Sequence, residues 1–238
     1  MNAHNNSAEQ PIVPWLALQQ LLDSALPIGG FSHSFGLETL VQEGRLTTSA
    51  QLEAYVRAML RQSWATSDAM IIKAAYRDIP EGQWERLFAV ERLVHLQRVA
   101  FETRSGIEKM GRRLLQLLGH MFPQVDCGPI AIALRDGRSL SSHPLVFGMA
   151  CVRLGIPLEQ AVQGYLYTCI VTCINSALRL ISMGQMEGQS IIARLTPAAA
   201  AAWQEVRELE PEDAYTNMPM AELAMIRHET LYSRLFMS

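Results

Sequence analysis

Charge is scarce in this sequence. Charged residues make up 18% of the chain, against about 25% in an ordinary globular domain. The net charge is −3 and the pI is near 6.1. Lysine occurs only at Lys73 and Lys109, and the sequence has no run of basic residues. Nucleic-acid binding driven by phosphate neutralisation is therefore not supported. The shortage of charge fits either one large core or a surface buried in an oligomer or complex.

The sequence also lacks the motifs of common nucleotide and metal sites. A phosphate loop needs a lysine directly after a glycine, but Lys73 follows Ile72 and Lys109 follows Glu108. There is no G-x-G-x-x-G or H-E-x-x-H motif. The histidines are scattered along the chain, at His4, His33, His95, His120, His143 and His228. We therefore expect no bound cofactor, no metal site and no catalytic centre.

Cysteine usage predicts a reducing compartment. The four cysteines form no C-x-x-C pair, and they are expected to be free thiols. Cys169 and Cys173 would share one helix face, where they could bind a soft metal, although packing in an apolar helix is favoured. Because the N-terminus carries no signal pattern, a cytoplasmic location is expected. Residues 161–178 are uncharged but contain several polar side chains, so they predict a buried central helix rather than a membrane span.

Apolar residues recur with helical spacing through most of the chain, which predicts an all-α fold: a single compact bundle of about ten helices. We expect a disordered N-terminus at 1–12, a helical domain at 13–209, and a mobile linker and partner-docking tail at 210–238. Residues 126–142 are irregular and predict a loop with a possible helix. The predicted helical segments are Thr48–Trp64, Ser67–Tyr76, Gln83–Phe101, 107–118, Pro144–Leu154, Leu158–Met183, Ile191–Arg194, Thr196–Leu209 and Ala221–Phe236.

The segment after Pro27 and the Gly29-Gly30 pair allows two interpretations. Ser32 and His33 are neighbours, which suggests a hydrolase, but adjacency in sequence does not place them in hydrogen-bonding geometry. The favoured interpretation is structural. The glycines form a turn, Ser32 or Ser34 caps a helix that begins near Phe35, and Glu38 lies in its first turn as in a capping box.

Four segments, in order along the chain, resemble the urease accessory protein family UreF. The first is Leu21 to Ser34 with Gly36-Leu37-Glu38, and the second is His143 to Gly148. The third runs from Tyr165-Leu166-Tyr167 through Asn175 and Arg179 to Gly184-Gln185 and Gly188-Gln189. The fourth is Met225 to Thr230 with Tyr232 to Phe236. The chain departs from the usual pattern at Phe35, where a small residue is common, and at Met183, where leucine is common.

The resemblance implies an all-α homodimer without catalytic activity of its own. It implies a scaffold that binds UreD (also called UreH), recruits the GTPase UreG and takes part in GTP-dependent nickel insertion into apo-urease. Regulation of the GTPase is a further implication. Nickel and GTP would then belong to the partner complex. Two alternatives stay open: a metallochaperone that holds nickel through His33, His228 or the cysteines, and a hydrolase that uses Ser32 and His33.

The resemblance also assigns candidate partner-binding residues. The tail residues match a segment that orders against UreD/UreH, and the stretch from Arg179 to Gln185 matches one linked to the GTPase. Arg179 could act on the nucleotide of the GTPase or pair with a carboxylate at an interface. The predicted partner-binding residues are His228, Glu229, Tyr232, Arg234, Leu235, Phe236, Arg179, Gly184, Gln185, Gly29, Gly30, Phe31 and His33.

Overall fold

The computed structural model describes residues 12–238. The predicted disordered N-terminus, residues 1–12, therefore lies outside the described residues except for Ile12. Within the described part the chain is all-helical and contains no strand, which confirms the predicted fold class. The α-helices are α1 Pro14–Leu22, α2 Leu37–Gln42, α3 Ser49–Met59, α4 Asp68–Asp78, α5 Trp84–Gln97, α6 Phe101–Met121, α7 Gly128–Arg135, α8 His143–Arg153, α9 Leu158–Ala177, α10 Gln185–Val206 and α11 Pro219–His228.

Helix α4 lies at the centre of the fold and packs against α5, α8 and α9. It is rich in small and branched apolar residues, and Ala69 to Ile72 have no exposed surface. Helix α8 is buried from His143 to Cys151, so it is apolar around most of its circumference. Gly148 lets α8 approach α4 closely, because a Cβ there would lie 3.2 Å from the Cα of Ile72.

The predicted cap of α3 is confirmed. The Thr48 side chain accepts a hydrogen bond from the Gln51 amide at 3.3 Å, and the Gln51 side chain accepts one from the Thr48 amide at 3.2 Å. This reciprocal pair is a capping box. The predicted helix to Trp64 continues past Met59, but residues Leu60–Trp64 form a π-helical turn. Such turns are rare, and they often lie next to functional sites.

Several predicted boundaries are wrong. The predicted pieces Ile191–Arg194 and Thr196–Leu209 belong to the single helix α10. The predicted break at Leu195 is absent because a continuous buried face that includes Leu195, Ala199 and Trp203 stabilises the helix. In segment 126–142, by contrast, the possible helix of the prediction is found as α7, with Pro129 in its first turn, where a missing amide hydrogen is tolerated. Helix α6 begins at Phe101, six residues before the predicted start.

The linker after α10 makes defined contacts. Residues Pro211–Asp213 form a 3₁₀ turn, and the Glu212 carboxylate pairs with Arg77 and Arg86 at 2.8 and 2.9 Å. The amide of Tyr215 donates to the carbonyl of Thr66 at 2.9 Å. The mobility expected for the linker stays a prediction. The predicted end of the tail helix, at Phe236, is wrong. Helix α11 stops at His228, and residues 229–238 run along the body without helical structure.

Candidate protein-docking site

The loop before α2 combines a turn with an exposed aromatic residue. Gly29 has a φ of +89°, and Gly30–Ser32 form one 3₁₀ turn in which the Ser32 hydroxyl donates to the Gly29 carbonyl at 2.7 Å. The turn leaves the Phe31 side chain 72% exposed, which costs free energy unless another surface covers it. The predicted turn is found.

The start of α2 differs in detail from the predicted capping box. The helix begins at Leu37, and the Ser34 hydroxyl accepts a 3.3 Å hydrogen bond from the Glu38 amide. The Glu38 carboxylate, however, faces the C-terminal tail instead of the backbone of its own helix. Gly36, with φ +86°, is needed here because a Cβ would lie 3.0 Å from the Cγ of Met225 in α11.

Glu38 is the main anchor of the tail. Its buried carboxylate accepts the amide hydrogens of Leu235 and Phe236 at 2.6 and 3.1 Å. It also lies 3.1 Å from the Nε2 atom of His228 and accepts a 3.3 Å bond from Gln42. Backbone amides outside a helix need hydrogen-bond acceptors, and the Glu38 carboxylate accepts from two such amides of the tail. The tail is therefore fixed by a side chain nearly two hundred residues away in sequence.

Glu102 on α6 forms a second anchor. Its carboxylate lies 2.7 Å from the Nδ1 atom of His228 and 2.6 Å from Arg234. Burial acts to raise the pKa of Glu102, but the hydrogen bonds and charges of His228 and Arg234 together hold that pKa below its usual value. In turn, Glu229 of the tail accepts the Phe101 amide at 3.1 Å, at the positive end of α6.

The last residues of the tail pair with the opening loop. The Ser238 carbonyl accepts hydrogen bonds from the amides of Ser34 and Phe35 at 2.6 and 3.0 Å, and the Met237 amide donates to the Ser32 carbonyl at 2.8 Å. The Ser238 hydroxyl lies 2.7 Å from the Nδ1 atom of His33. Burial of the His33 ring, with a smaller contribution from the charge of Lys109, lowers its pKa to about 4, so the ring is neutral.

Arg179 joins the same assembly from α9. Its guanidinium lies over the ring of Phe236, 4.6 Å from the ring centre, as in a cation–π contact. Phe236 is buried, whereas Tyr232, Leu235 and Met237 of the tail are exposed. The opening loop, Arg179 and the tail thus contain eleven of the thirteen predicted partner-binding residues: Gly29, Gly30, Phe31, His33, Arg179, His228, Glu229, Tyr232, Arg234, Leu235 and Phe236.

Gly184 and Gln185 lie apart from this assembly. They mark the start of α10 and are exposed, and among the hydrogen bonds and ion pairs of residues 12–238 none joins them to the tail. Sequence reasoning missed Glu102 and Ser238 and gave Glu38 a different role. The clearest signal for Glu38 was an acidic side chain on an otherwise apolar first turn of α2.

A cavity of about 220 Å³ lies beneath this face. All four segments that carry the family resemblance contribute to its wall, through His33, Phe147, Tyr165, Arg179 and Met225, among others. Asp68 and Arg98 also line it and form a buried ion pair. The burial of Tyr165 raises its pKa, and its hydroxyl stays protonated. The four segments thus share one location although they are far apart in sequence.

The alternatives that involve catalysis or metal binding gain no geometric support. The Ser32 hydroxyl bonds to Gly29 and the His33 ring to Ser238, so the two side chains are not a nucleophile–base pair. Residues 12–238 contain no group of three or more His, Cys, Asp or Glu side chains placed to hold a metal ion. The four thiols are free, and burial raises the pKa of Cys173 to about 12, which opposes the thiolate form that binds metals.

Comparison with known proteins supports the family resemblance carried by the four segments. The sequence pattern of the UreF family matches residues 46–196, which is more than half of the chain. This chain belongs to the UreF family. The urease accessory protein UreF of Paenarthrobacter aurescens (strain TC1) is 33% identical over 223 residues, covering 94% of this chain and 97% of the relative. The UreF protein of Streptococcus salivarius (strain 57.I) is 30% identical over 236 residues, covering 98% and 99%.

A third relative shows the same extent of similarity. The UreF protein of Arthrobacter sp. (strain FB24) is 31% identical over 223 residues, covering 94% of this chain and 96% of the relative. These alignments extend well beyond residues 46–196, so they span almost the whole chain. The resemblance inferred from four short segments is thus confirmed. In the described part of this UreF-family chain, no helix has both the length and the apolar composition to cross a bilayer.

Proposed function

We propose that this chain is a scaffold in urease maturation. In this proposal it binds UreD/UreH through the docked tail and the opening loop, and it recruits the GTPase UreG for nickel insertion into apo-urease. The membership in the UreF family supports the role in urease maturation. The chain itself holds no cofactor in this proposal, and nickel and GTP are bound by the partners. It therefore contributes binding surface and positioning rather than chemical catalysis.

One observation carries the assignment of the docking face. The inner side of the tail is fixed by Glu38, Glu102 and the opening loop, while its outer side exposes apolar residues. The tail surface, defined as Phe31, Tyr232, Leu235 and Met237, has exposed fractions between 51 and 104%. Aromatic and methionine side chains held on a rigid support are typical of protein interfaces, because little conformational entropy is lost when they are covered.

The proposal is tested by placing charge on the tail surface. We expect Tyr232→Asp and Leu235→Asp to weaken co-elution with purified UreD/UreH by at least tenfold in apparent Kd, since a buried unpaired carboxylate is costly. Both side chains point away from the core, so thermal stability should change little. Ile132→Asp on α7, at a similarly exposed apolar position, is the matched control. Equal binding by all three variants would contradict the assignment of this face.

The homodimer implied by the resemblance needs a second apolar face. Val13, just before α1, and Trp15 and Leu16 in α1 are exposed, and Trp15 and Tyr167 of α9 line one shallow groove. We propose that two copies of the chain meet at this face, with the tail surface left free for the other partners. Trp15→Asp is expected to convert the dimer to a monomer in analytical ultracentrifugation, whereas Tyr232→Asp should leave the dimer intact. A Trp15→Asp protein that remains dimeric would exclude this face.

A further inference from the structure

The cavity beneath the opening loop and α11 has a largely apolar wall. Its volume of about 220 Å³ exceeds the roughly 150 Å³ of an engineered apolar cavity that binds benzene. Methionine side chains are flexible and adapt to the shape of a guest molecule. The cavity is therefore large enough for a molecule built on one aromatic ring. The apolar part of the wall includes Phe35, Met59, Ile107, Met110, Phe147 and Met225.

Two polar side chains in the wall of this cavity have no hydrogen-bond partner in the protein. His143 is only 9% exposed and packs against Phe147 and Tyr165, and no donor or acceptor among residues 12–238 meets its ring nitrogens. The Tyr55 hydroxyl likewise has no partner in the described part of the chain. Buried polar groups are nearly always hydrogen-bonded. Because both side chains line the cavity, the cavity is the space in which a partner can meet them.

The deeply placed polar groups of the wall are neutral or paired. Burial lowers the pKa of His143 to about 4, so its ring is uncharged, and burial raises the pKa of Tyr55 and of Tyr165, so both hydroxyls stay protonated. Asp68 and Arg98 neutralise each other in a buried ion pair. An ion in this enclosed space would add an unpaired charge, which is costly. The wall therefore favours a neutral occupant.

Three further charged residues border the cavity, and their charges are met elsewhere. Asp23 is exposed to solvent, and the guanidinium of Arg179 lies over the ring of Phe236. The carboxylate of Glu222 accepts the Val99 amide at 3.1 Å. None of these three residues calls for an ionic occupant.

We propose that this cavity is a binding site for a small neutral molecule with a compact apolar body, of about the size of one aromatic ring, and a hydroxyl or carbonyl group. The apolar body packs against Met59, Met110 and Met225, and the polar group pairs with the ring of His143. A neutral imidazole offers one donor and one acceptor, so a hydroxyl or a carbonyl can each bond to it. Such a ligand satisfies a buried polar group and adds no charge.

The test uses phenol and its apolar isostere toluene as probes of the intact protein. NMR titration of protein labelled with ¹³C at the methionine methyl groups reports binding of each probe. We expect both probes to shift the methyl resonances of Met59, Met110 and Met225, whereas the exposed Met186 serves as the reference and should not respond. In ¹⁵N-histidine-labelled protein, phenol should also shift a ring nitrogen of His143 through a hydrogen bond, and toluene should not.

One variant separates the hydrogen bond from the apolar contacts. His143→Phe keeps an aromatic ring and removes both nitrogens, so it should weaken phenol binding about fivefold and change toluene binding by less than about twofold. His120→Phe, at an exposed position outside the cavity, should leave both affinities unchanged. Methyl groups that respond to neither probe would show a cavity filled only by water and would overturn the proposal. Equal weakening of phenol and toluene by His143→Phe would overturn the role of this ring. No partner protein is used, so the outcome is independent of the urease-maturation proposal.

Discussion

Burial decides the charge state of three histidines. Burial lowers the pKa of His33, His95 and His143 to about 4, from 6.5 in a solvated ring, with further lowering by nearby cations at His33 and His95. His143 packs between Phe147 and Tyr165, with ring centres 6.2 and 5.4 Å away. The three rings are therefore neutral at neutral pH.

These neutral rings predict acid sensitivity. Below pH 6.5 the unfolded chain binds protons that the folded chain does not bind until about pH 4. The free energy of unfolding should therefore fall as pH decreases from 6.5 to 4. His143→Gln removes one such group, so its decrease over this range should be smaller, as measured by urea unfolding at several pH values. His120→Gln should retain the full decrease. Identical slopes for all three proteins would contradict this account.

At the scale of elements, close approach of α6 to the segment before α8 depends on one glycine. A Cβ on Gly111 would lie 1.9 Å from the Ser141 carbonyl oxygen, which is far inside van der Waals contact. Ser141 itself has a φ of +52°, an uncommon value for a residue with a side chain. This segment is further held by Glu91, whose carboxylate accepts the Ser139 hydroxyl and the amides of Leu140 and Ser142. The contact therefore leaves little room for adjustment.

Two glycines on α6 make a matched pair for testing this contact. Gly111→Ala should destabilise the protein by more than about 2 kcal/mol, because the backbone of the neighbouring segment has to move. Gly119→Ala, where a Cβ meets nothing within 4 Å, should stabilise it by about 0.5–1 kcal/mol through helix propensity. Thermal and urea unfolding measure both. A Gly111→Ala protein as stable as the parent would show that the segment adjusts freely.

The helix predictions succeeded where hydrophobic periodicity was long and failed where tertiary contacts decided the outcome. The stripes of α3 and α5 were visible in sequence because one face of each packs on the core. The end of α11 was not, because the amides of Leu235 and Phe236 donate to Glu38, which lies far away in sequence. The continuity of α10 across Leu195, where the sequence predicted a break, likewise depends on the surface that the helix covers.

At the scale of the whole molecule, the linker between α10 and α11 connects the tail to the helical body. Glu212 connects this linker to Arg77 and Arg86, and the side-chain hydrogen bond from Arg77 is the main cause that lowers the pKa of Glu212 to about 2. These groups are partly exposed, so the ion pairs contribute little to global stability. Their effect should instead appear as local order in residues 210–217.

This difference between local and global effects can be measured. Glu212→Gln should increase hydrogen exchange in residues 210–217 several-fold, because the Glu212 carboxylate no longer ties the linker to Arg77 and Arg86, while the melting temperature changes by less than about 2 °C. Glu208→Gln is the control, since Glu208 is well exposed and pairs only with its neighbour Arg207. Unchanged exchange in the Glu212→Gln linker would show that backbone bonds to Thr66 and Gln62 hold it alone.

The sequence by itself determined the helical class and the family, because helical periodicity and ordered motifs are local properties of the chain. It also placed the opening loop, Arg179 and the tail among the residues expected to matter. Only the tertiary structure decided that Glu38 and Glu102 bind the tail and that His228 lies between them. The physical reason is that buried charge is stable only beside complementary charge, and the fold, not the sequence spacing, brings those charges together.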